Sequence, residues 1–425
     1  MGDLYPIPWY GVYISRRGPT GCLSWAWMWD KRVQATHVFF ISRNLTSMNA
    51  ESGWLGGNDI ITIAMSMTTG SLRELIEEIY QDKAKWVYKR NEEKFREIDI
   101  FKKEMCKSFI ESYFDCTGKG DVDNTLLNSL EGNDSIDANR CQHIVMTFFY
   151  GLLLYDKCRT IKKTIDKFLS ADKYKMALEK HKDAPFAYVW FLVCLFHDLA
   201  YPLEYKRGGK RDFKSYQELS EKKKWDKDLD GVPHQYSREI LEHYFDYRNS
   251  GDDAMNDHGI CAGHYLYADL CAIQERKKMQ RSNKSWWKDE LKVIFNLAAW
   301  VVACHNIWST QEDNDNVETY RGKNLEALIL ERDNEGKLQY LIKLEEHPLL
   351  FLFCLVDTIE PIKIVEDVSL LDKIRLEIAD EGIRLEIDLI CGCRTRLLKN
   401  IRSLNDWLTK TEIEGNIGRI CFHNS

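Results

Sequence analysis

Residues 191–204 read FLVCLFHDLAYPLE. A run of large apolar side chains ends in an imidazole and a carboxylate side by side, His197 and Asp198, and Pro202 follows shortly after. The apolar run begins near residue 185 and is hydrophobic almost all round. It therefore predicts a central buried helix over 185–200, with Pro202 as its stop. Taken alone, the dipeptide has an ordinary explanation. A chain with 11 histidines contains roughly one His-Asp pair by chance, and a satisfied core histidine beside a turn-capping aspartate would account for it.

The same arrangement recurs along the chain. NRCQHIVMTFFYGLLLY holds His143, MNDHGICAGHYLY holds His258, AAWVVACHNIW holds His305 and LLFLFCLVDTIEP holds Asp357. In each, an ionisable group sits in or at the end of an apolar helical run, where leaving it unpaired is costly. One such group reads as a satisfied core residue. Five such stretches, always with His or Asp, point to a shared metal site, the simplest common use of clustered buried imidazoles and carboxylates.

In chain order the groups are His143, His197-Asp198, His258, His305 and Asp357, spaced by 54, 60, 47 and 52 residues. This H…HD…H…H…D series over 135–372 resembles the HD-domain metal-dependent phosphohydrolase superfamily, whose core is all helical. The resemblance implies that His143, His197, Asp198 and Asp357 hold one divalent cation. It implies that His258 and His305 hold a second in two-metal members, with Asp198 bridging. In one-metal members a histidine of this region acts on the leaving group, so His258, preceded by Asp257, carries a second implied role as catalytic acid beside the catalytic Asp198. His305 keeps another reading, as a core histidine bonded to Asn306 or a carbonyl. His264 lies off the helical face of His258, and His234 and His243 sit in or beside a charged stretch; all three are set aside.

HDLAYPLE is also similar to the turn that follows HD in dNTP triphosphohydrolases, although the longer motif beyond the proline is absent. Those enzymes release deoxynucleoside and intact triphosphate. The implied activity is metal-dependent hydrolysis of nucleotides, dNTPs first. The alternatives are an HD-type phosphodiesterase or nuclease acting on cyclic or short oligonucleotides, and a nucleotide sensor without turnover. The implied cofactor is one or two of Mn, Mg, Fe, Ni, Co or Zn. Arg140, Lys206, Arg207 and Arg211 are candidate phosphate ligands, and Tyr201 is a candidate to flank base or sugar. Each also reads as a plain surface charge or core aromatic.

Composition sets the frame. A chain of 425 residues that is 44% hydrophobic, with 13 Trp, has ample material for a packed core. A net charge of −7 excludes a basic coating protein for nucleic acid. The 13 cysteines are odd in number and lie mostly in apolar runs. They fit buried reduced thiols in a cytoplasmic protein rather than a disulfide framework. Cys391 and Cys393 form a CxC without a second pair at zinc-site spacing. MGDLYPIPWYG has neither the basic nor the apolar segment of a signal peptide, and no membrane span is expected.

The expected architecture is mainly α, with an N-terminal α+β region and a small C-terminal α+β appendage. Over 1–134, GVYIS, CLSWAWMW, THVFFIS and IITIAMS read as strands, and a helical pattern runs from Ser71 to about Phe114. The core spans 135–372. In it Ser135 is a candidate cap for the His143 helix, another buried helix covers 290–308, and Pro348 starts a helix running to Glu360. The charged stretch 206–232 reads as a solvated insertion. Over 373–425, KIRLEIADEGIRLEIDL signals a hairpin, followed by a helix in RTRLLKNIRSLNDWLTK and a strand in RICF. The two outer regions are expected to meet a regulatory nucleotide, a protein partner or a second copy in a homo-oligomer.

Overall fold

The computed structural model describes residues 12–17, 23–28, 67–87, 89–118, 138–204, 212–225, 238–249, 255–279, 287–306, 319–320, 323–324, 342–365 and 367–422. The protein is mostly helical, with a small antiparallel sheet at its C-terminal end. Among the described residues no helix is long and apolar enough to cross a membrane. Two of the expected N-terminal strands form a hairpin, β1 (Val12–Arg17) and β2 (Leu23–Met28), with Val12 opposite Met28. THVFFIS, IITIAMS and Ser135 lie outside the described residues.

β3 (Thr68–Ser71) leads directly into α1 (Leu72–Gln81). The Ser71 hydroxyl accepts from the Glu74 amide at 3.2 Å, and the Glu74 carboxylate accepts from the Ser71 amide at 3.0 Å. This reciprocal cap satisfies two amides that a helix start leaves open. The helical pattern expected to run on to Phe114 is broken into turns over 83–95 before α2 (Lys103–Gly118). Trp86 is the reason. It is fully buried, stacks on Tyr80 at 5.6 Å, and its indole donates to the Ile79 carbonyl at 3.0 Å. A straight helix would carry Trp86 about 10 Å along the axis from Ile79; the bend brings it back.

The helical body comprises α3 (Ala138–Lys157), α4 (Arg159–Leu169), α5 (Asp172–Ala177), α6 (Pro185–Phe196), α7 (Tyr201–Glu204), α8 (Tyr216–Lys222), α9 (Arg238–Arg248), α10 (His258–Lys278), α11 (Leu291–Cys304), α12 (Pro348–Ile359) and α13 (Ile362–Val365). Pro185 and Pro348 each occupy the first turn of their helix, where a missing amide costs nothing. Every residue from Phe186 to Phe196 is buried, which makes α6 the centre of the bundle. It packs on α3 and α11; α11 packs on α10, and α12 on α3. The α10–α11 contact needs Gly263, where a Cβ would stand 2.7 Å from the Ala299 carbonyl.

Two expectations are corrected here. Helix α6 stops at Phe196, well before Pro202, which instead lies in α7, since proline is tolerated in a first turn. Within the stretch read as a solvated insertion, residues 212–225 pack on the core through buried Phe213, Tyr216, Leu219 and Trp225. The Trp225 indole donates to Asn296 of α11 at 2.7 Å. Aromatic and aliphatic residues spaced between the charges anchor the segment.

Short strands β4 (Thr319–Tyr320) and β5 (Lys323–Asn324) pair with each other. The C-terminal hairpin forms as expected from β6 (Ile374–Ala379) and β7 (Gly382–Ile387). After α14 (Cys391–Ser403) the chain does not stay helical through Lys410 but makes a second hairpin, β8 (Lys410–Glu414) and β9 (Ile417–Cys421). The five-stranded sheet has the order β3-β6-β7-β9-β8, so its edge comes from residues 68–71. Helix α14 packs on β8, β9 and α12, and Asn400 donates to the Thr358 carbonyl at 3.1 Å.

Candidate metal centre

Three apolar helices end at one place. His197 follows the last residue of α6, and His305 follows the last residue of α11. Each ring turns back on its own helix. Nδ1 of His197 lies 2.8 Å from the Cys194 carbonyl, and Nδ1 of His305 lies 2.6 Å from the Val302 carbonyl. Carbonyls of a last turn lack amide partners. Each imidazole supplies the missing donor, which leaves its Nε2 facing away from the helix end. Asp357 stands in the last turn of α12. Carbonyl ends of helices carry partial negative charge and favour a cation.

The other two imidazoles come from α3 and from the first residue of α10. His143 Nδ1 lies 2.9 Å from Glu360 Oε2, and His258 Nδ1 is in close contact with Glu204 Oε1. Thus all four rings have an oxygen acceptor at Nδ1, which fixes the Nδ1–H tautomer in the neutral ring and leaves Nε2 as a lone pair. These nitrogens meet in pairs, His143 with His197 at 3.1 Å and His258 with His305 at 3.2 Å. Two bare lone pairs at such distances repel. Each pair therefore requires a proton or a cation between its members.

The carboxylates complete the arrangement. Asp198 Oδ2 is 3.4 Å from His197 Nε2 and 3.9 Å from His143 Nε2, while its Oδ1 is 3.9 Å from His258 Nε2. One aspartate thus turns one oxygen to each pair. Asp357 Oδ1 is 3.4 Å from His143 Nε2 and 3.6 Å from His197 Nε2. The ligand atoms of His143, His197 and Asp198 all lie within 4.8 Å of one another, as do those of Asp198, His258 and His305. These five residues are close enough to hold a metal ion. Nitrogen donors freed by tautomer and carboxylates shared between them fit a divalent cation.

No known protein family, curated protein or solved structure matches the chain.

The electrostatics agree with the geometry. Burial opposes charge on His143, but Asp357 and Glu360 outweigh it and its pKa is raised. His258 rises for the same reason, with Glu204 overcoming burial. Burial and the neighbouring His258 push His305 down to about 3. Despite burial, Asp198 is held well below the usual carboxylate range, chiefly by His197 and Lys363, and Asp357 chiefly by Lys363 and His143. Each pair thus contains one imidazole, His143 or His258, that favours an extra proton.

The structure brings together all six residues expected as ligands. It also gives the residue before His258 a place. Asp257 is the cap of α10. Its Oδ1 accepts from the Ile260 amide at 2.8 Å, and its Oδ2 accepts from Asn306 at 3.0 Å. The partner of the His258 ring is Glu204. Tyr201 stands edge-on to His258 at 5.2 Å, with the Arg140 guanidinium 5.1 Å from the Tyr201 ring, so both line the His258 side. Lys206, Arg207, Arg211 and His234 lie outside the described residues. His264, set aside from sequence, is buried elsewhere, with Nδ1 on the Lys223 carbonyl at 2.7 Å. His243 is half-buried rather than exposed.

Three site residues went unnoticed in sequence: Glu204, Glu360 and Lys363. Their signal was present. Glu204 closes the HDLAYPLE stretch, and DTIEPIK places Asp357, Glu360 and Lys363 at intervals of three. Glu360, only 1% exposed, stands just before Pro361 after the helix end, and a carboxylate so buried is a candidate partner for a buried imidazole.

Proposed function

We propose that this protein is a metal-dependent phosphohydrolase of the HD type acting on nucleotides. The observation that carries the reading is the double imidazole pair facing the two oxygens of Asp198, assembled in the H…HD…H…H…D order. His143, His197, Asp198 and Asp357 would hold one divalent cation, and Asp198, His258 and His305 a second. When bound, such cations supply Lewis acidity and a water acidified toward neutral pH. The candidates are Mn, Mg, Fe, Ni, Co and Zn.

The chain's own groups do the rest. Glu360 and the Cys194 carbonyl hold one pair of rings in register; Glu204 and the Val302 carbonyl hold the other. Burial excludes bulk water from His197, which is 0% exposed. With Glu204 at Nδ1, His258 keeps a proton on Nε2 when no cation claims that atom, and from there it can pass it to a leaving oxygen. The half-buried Tyr201, backed by Arg140, offers a face for a base or sugar.

The leading substrate is a dNTP, cleaved to deoxynucleoside and tripolyphosphate. Incubation with each dNTP and Mn²⁺ or Mg²⁺ should yield these products with little dNMP, dNDP or pyrophosphate, and Asp198→Ala should abolish turnover. Release of dNMP with pyrophosphate would exclude the intact-triphosphate outcome. A second reading, cleavage of a cyclic or short oligonucleotide, is favoured by the shared Asp198, because paired cations can stabilise attacking and leaving oxygens together. Dinucleotide cleavage without dNTP turnover would establish it. A sensor would bind nucleotide and release no product.

A further inference from the structure

We propose that Lys363 is the residue at this centre that receives the anionic phosphoryl oxygens of the ligand. The inference rests on the metal-dependent reading above and adds the group that grips the substrate. Lys363 stands on α13, one turn beyond α12. Glu360 fixes where it stands. Glu360 Oε1 accepts from the Ile362 amide at 2.8 Å, and Oε2 accepts from the Lys363 amide at 3.3 Å. The same Oε2 holds the His143 ring. One carboxylate thus ties the main chain of Lys363 to an imidazole of the centre.

The side chain reaches back to the cluster. Nζ contacts Asp357 Oδ1, the oxygen that also faces His143 and His197. Yet the lysine is 38% exposed where Asp357 is 18% and Asp198 14% exposed. Its side chain is therefore more exposed than either aspartate of the cluster, with the ammonium carried on an apolar stem. A divalent cation and an ammonium repel each other strongly when they claim one carboxylate oxygen. Loading the centre should turn Nζ outward, where its three donors have no acceptor in the cluster to return to. A phosphoryl oxygen arriving at the centre meets them there as a charge-assisted partner. The Arg140 guanidinium lies instead against the Tyr201 ring, on the His258 side.

The test uses the full chain loaded with Mn²⁺, as wild type, Lys363→Gln and Lys363→Arg. Manganese per chain is measured by mass spectrometry and orthophosphate binding by titration calorimetry. All three proteins should carry the same manganese. Phosphate should bind about tenfold or more weaker in Lys363→Gln, the size of a lost hydrogen bond between charged groups, and Lys363→Arg should restore most of it. Unchanged phosphate affinity in a manganese-loaded Lys363→Gln would overturn the proposal and leave the metal reading standing. So would failure of the loaded wild type to bind phosphate. Loss of manganese in Lys363→Gln would make the lysine a prop for Asp357 and also overturn it. A wild type that takes up no manganese would instead bring down the metal reading, and this proposal with it.

Discussion

The Nε2 atoms of His143 and His197 lie 3.1 Å apart while the Nδ1 atoms of both rings face oxygen acceptors. In the metal-free protein one proton on His143 satisfies the pair, and its raised pKa reflects Asp357 and Glu360 winning over burial. A cation must displace that proton. Metal binding should therefore release protons and weaken as pH falls. The loss should begin above the ordinary imidazole value, because His143 titrates above it. Calorimetric titration with Mn²⁺ in buffers of different ionisation enthalpy measures the released protons. Binding without proton release from pH 6 to 8 would contradict the shared-proton geometry.

Glu360 and Glu204 each orient one ring, so their removal should act on different halves of the centre. Glu360→Gln should weaken the cation held by His143 and His197, and Glu204→Gln the cation held by His258 and His305. Loss of such an orienting partner typically lowers metal affinity by about 10- to 100-fold. Stepwise metal titration of both variants resolves the two halves. Equal weakening of both binding steps in both variants would show that the pairs do not act as separate sites.

Gly263 sets the approach of α10 to α11, and with it the distance from His258 to His305. A Cβ there meets Ala299 O at 2.7 Å and Ala303 Cβ at 2.9 Å. Gly263→Ala should destabilise the fold by about 1–3 kcal/mol through overpacking. It should also lower occupancy of the His258–His305 half before the other. Thermal melting and metal analysis read both effects; a variant as stable and as fully loaded as wild type would refute the account.

His181 provides a pH effect away from the centre. It is 1% exposed and stacks on Tyr188 at 3.7 Å, and burial lowers its pKa to about 3. The unfolded chain takes up a proton near pH 6.5 that the folded one refuses. Its contribution to stability is thus complete above pH 6.5 and lost as pH falls from there toward 3, at up to about 1.4 kcal/mol per pH unit. His181→Phe keeps the stacking and removes the titration. Urea unfolding of this variant should depend less steeply on pH between 6.5 and 4 than wild type; an unchanged slope would assign the dependence to other groups.

The clustered residues were legible because each interrupts or ends an apolar helix, and an ionisable group in such a place needs a partner. His305 left two readings in sequence, ligand or carbonyl-bonded core residue, and the structure shows why neither excludes the other: Nδ1 takes the Val302 carbonyl and Nε2 faces His258. The orienting carboxylates were harder to read, since Glu204 closes the four-residue α7 and Glu360 follows the last residue of α12, so no helical periodicity marks either as part of a buried face. Trp86 defeated the helical reading of 71–114 because its burial against Phe149 of α3, with ring centroids 5.3 Å apart, overrode a good local pattern. The edge strand β3 escaped notice because TTGS has neither the length nor the alternation of a strand; its partner lies far along the chain.

Ser71 belongs to two structures at once, pairing with Arg375 of β6 and capping α1. Helix α1 packs on α3, which carries His143. During synthesis, Ser71 leaves the ribosome long before Arg375 does. Until β6 arrives, β3 has an open edge and α1 is anchored only on one side. The centre's first imidazole thus waits on a segment made about 230 residues after it, and a ribosome that stalls before residue 374 releases a product with the clustered residues present and their scaffold unfinished.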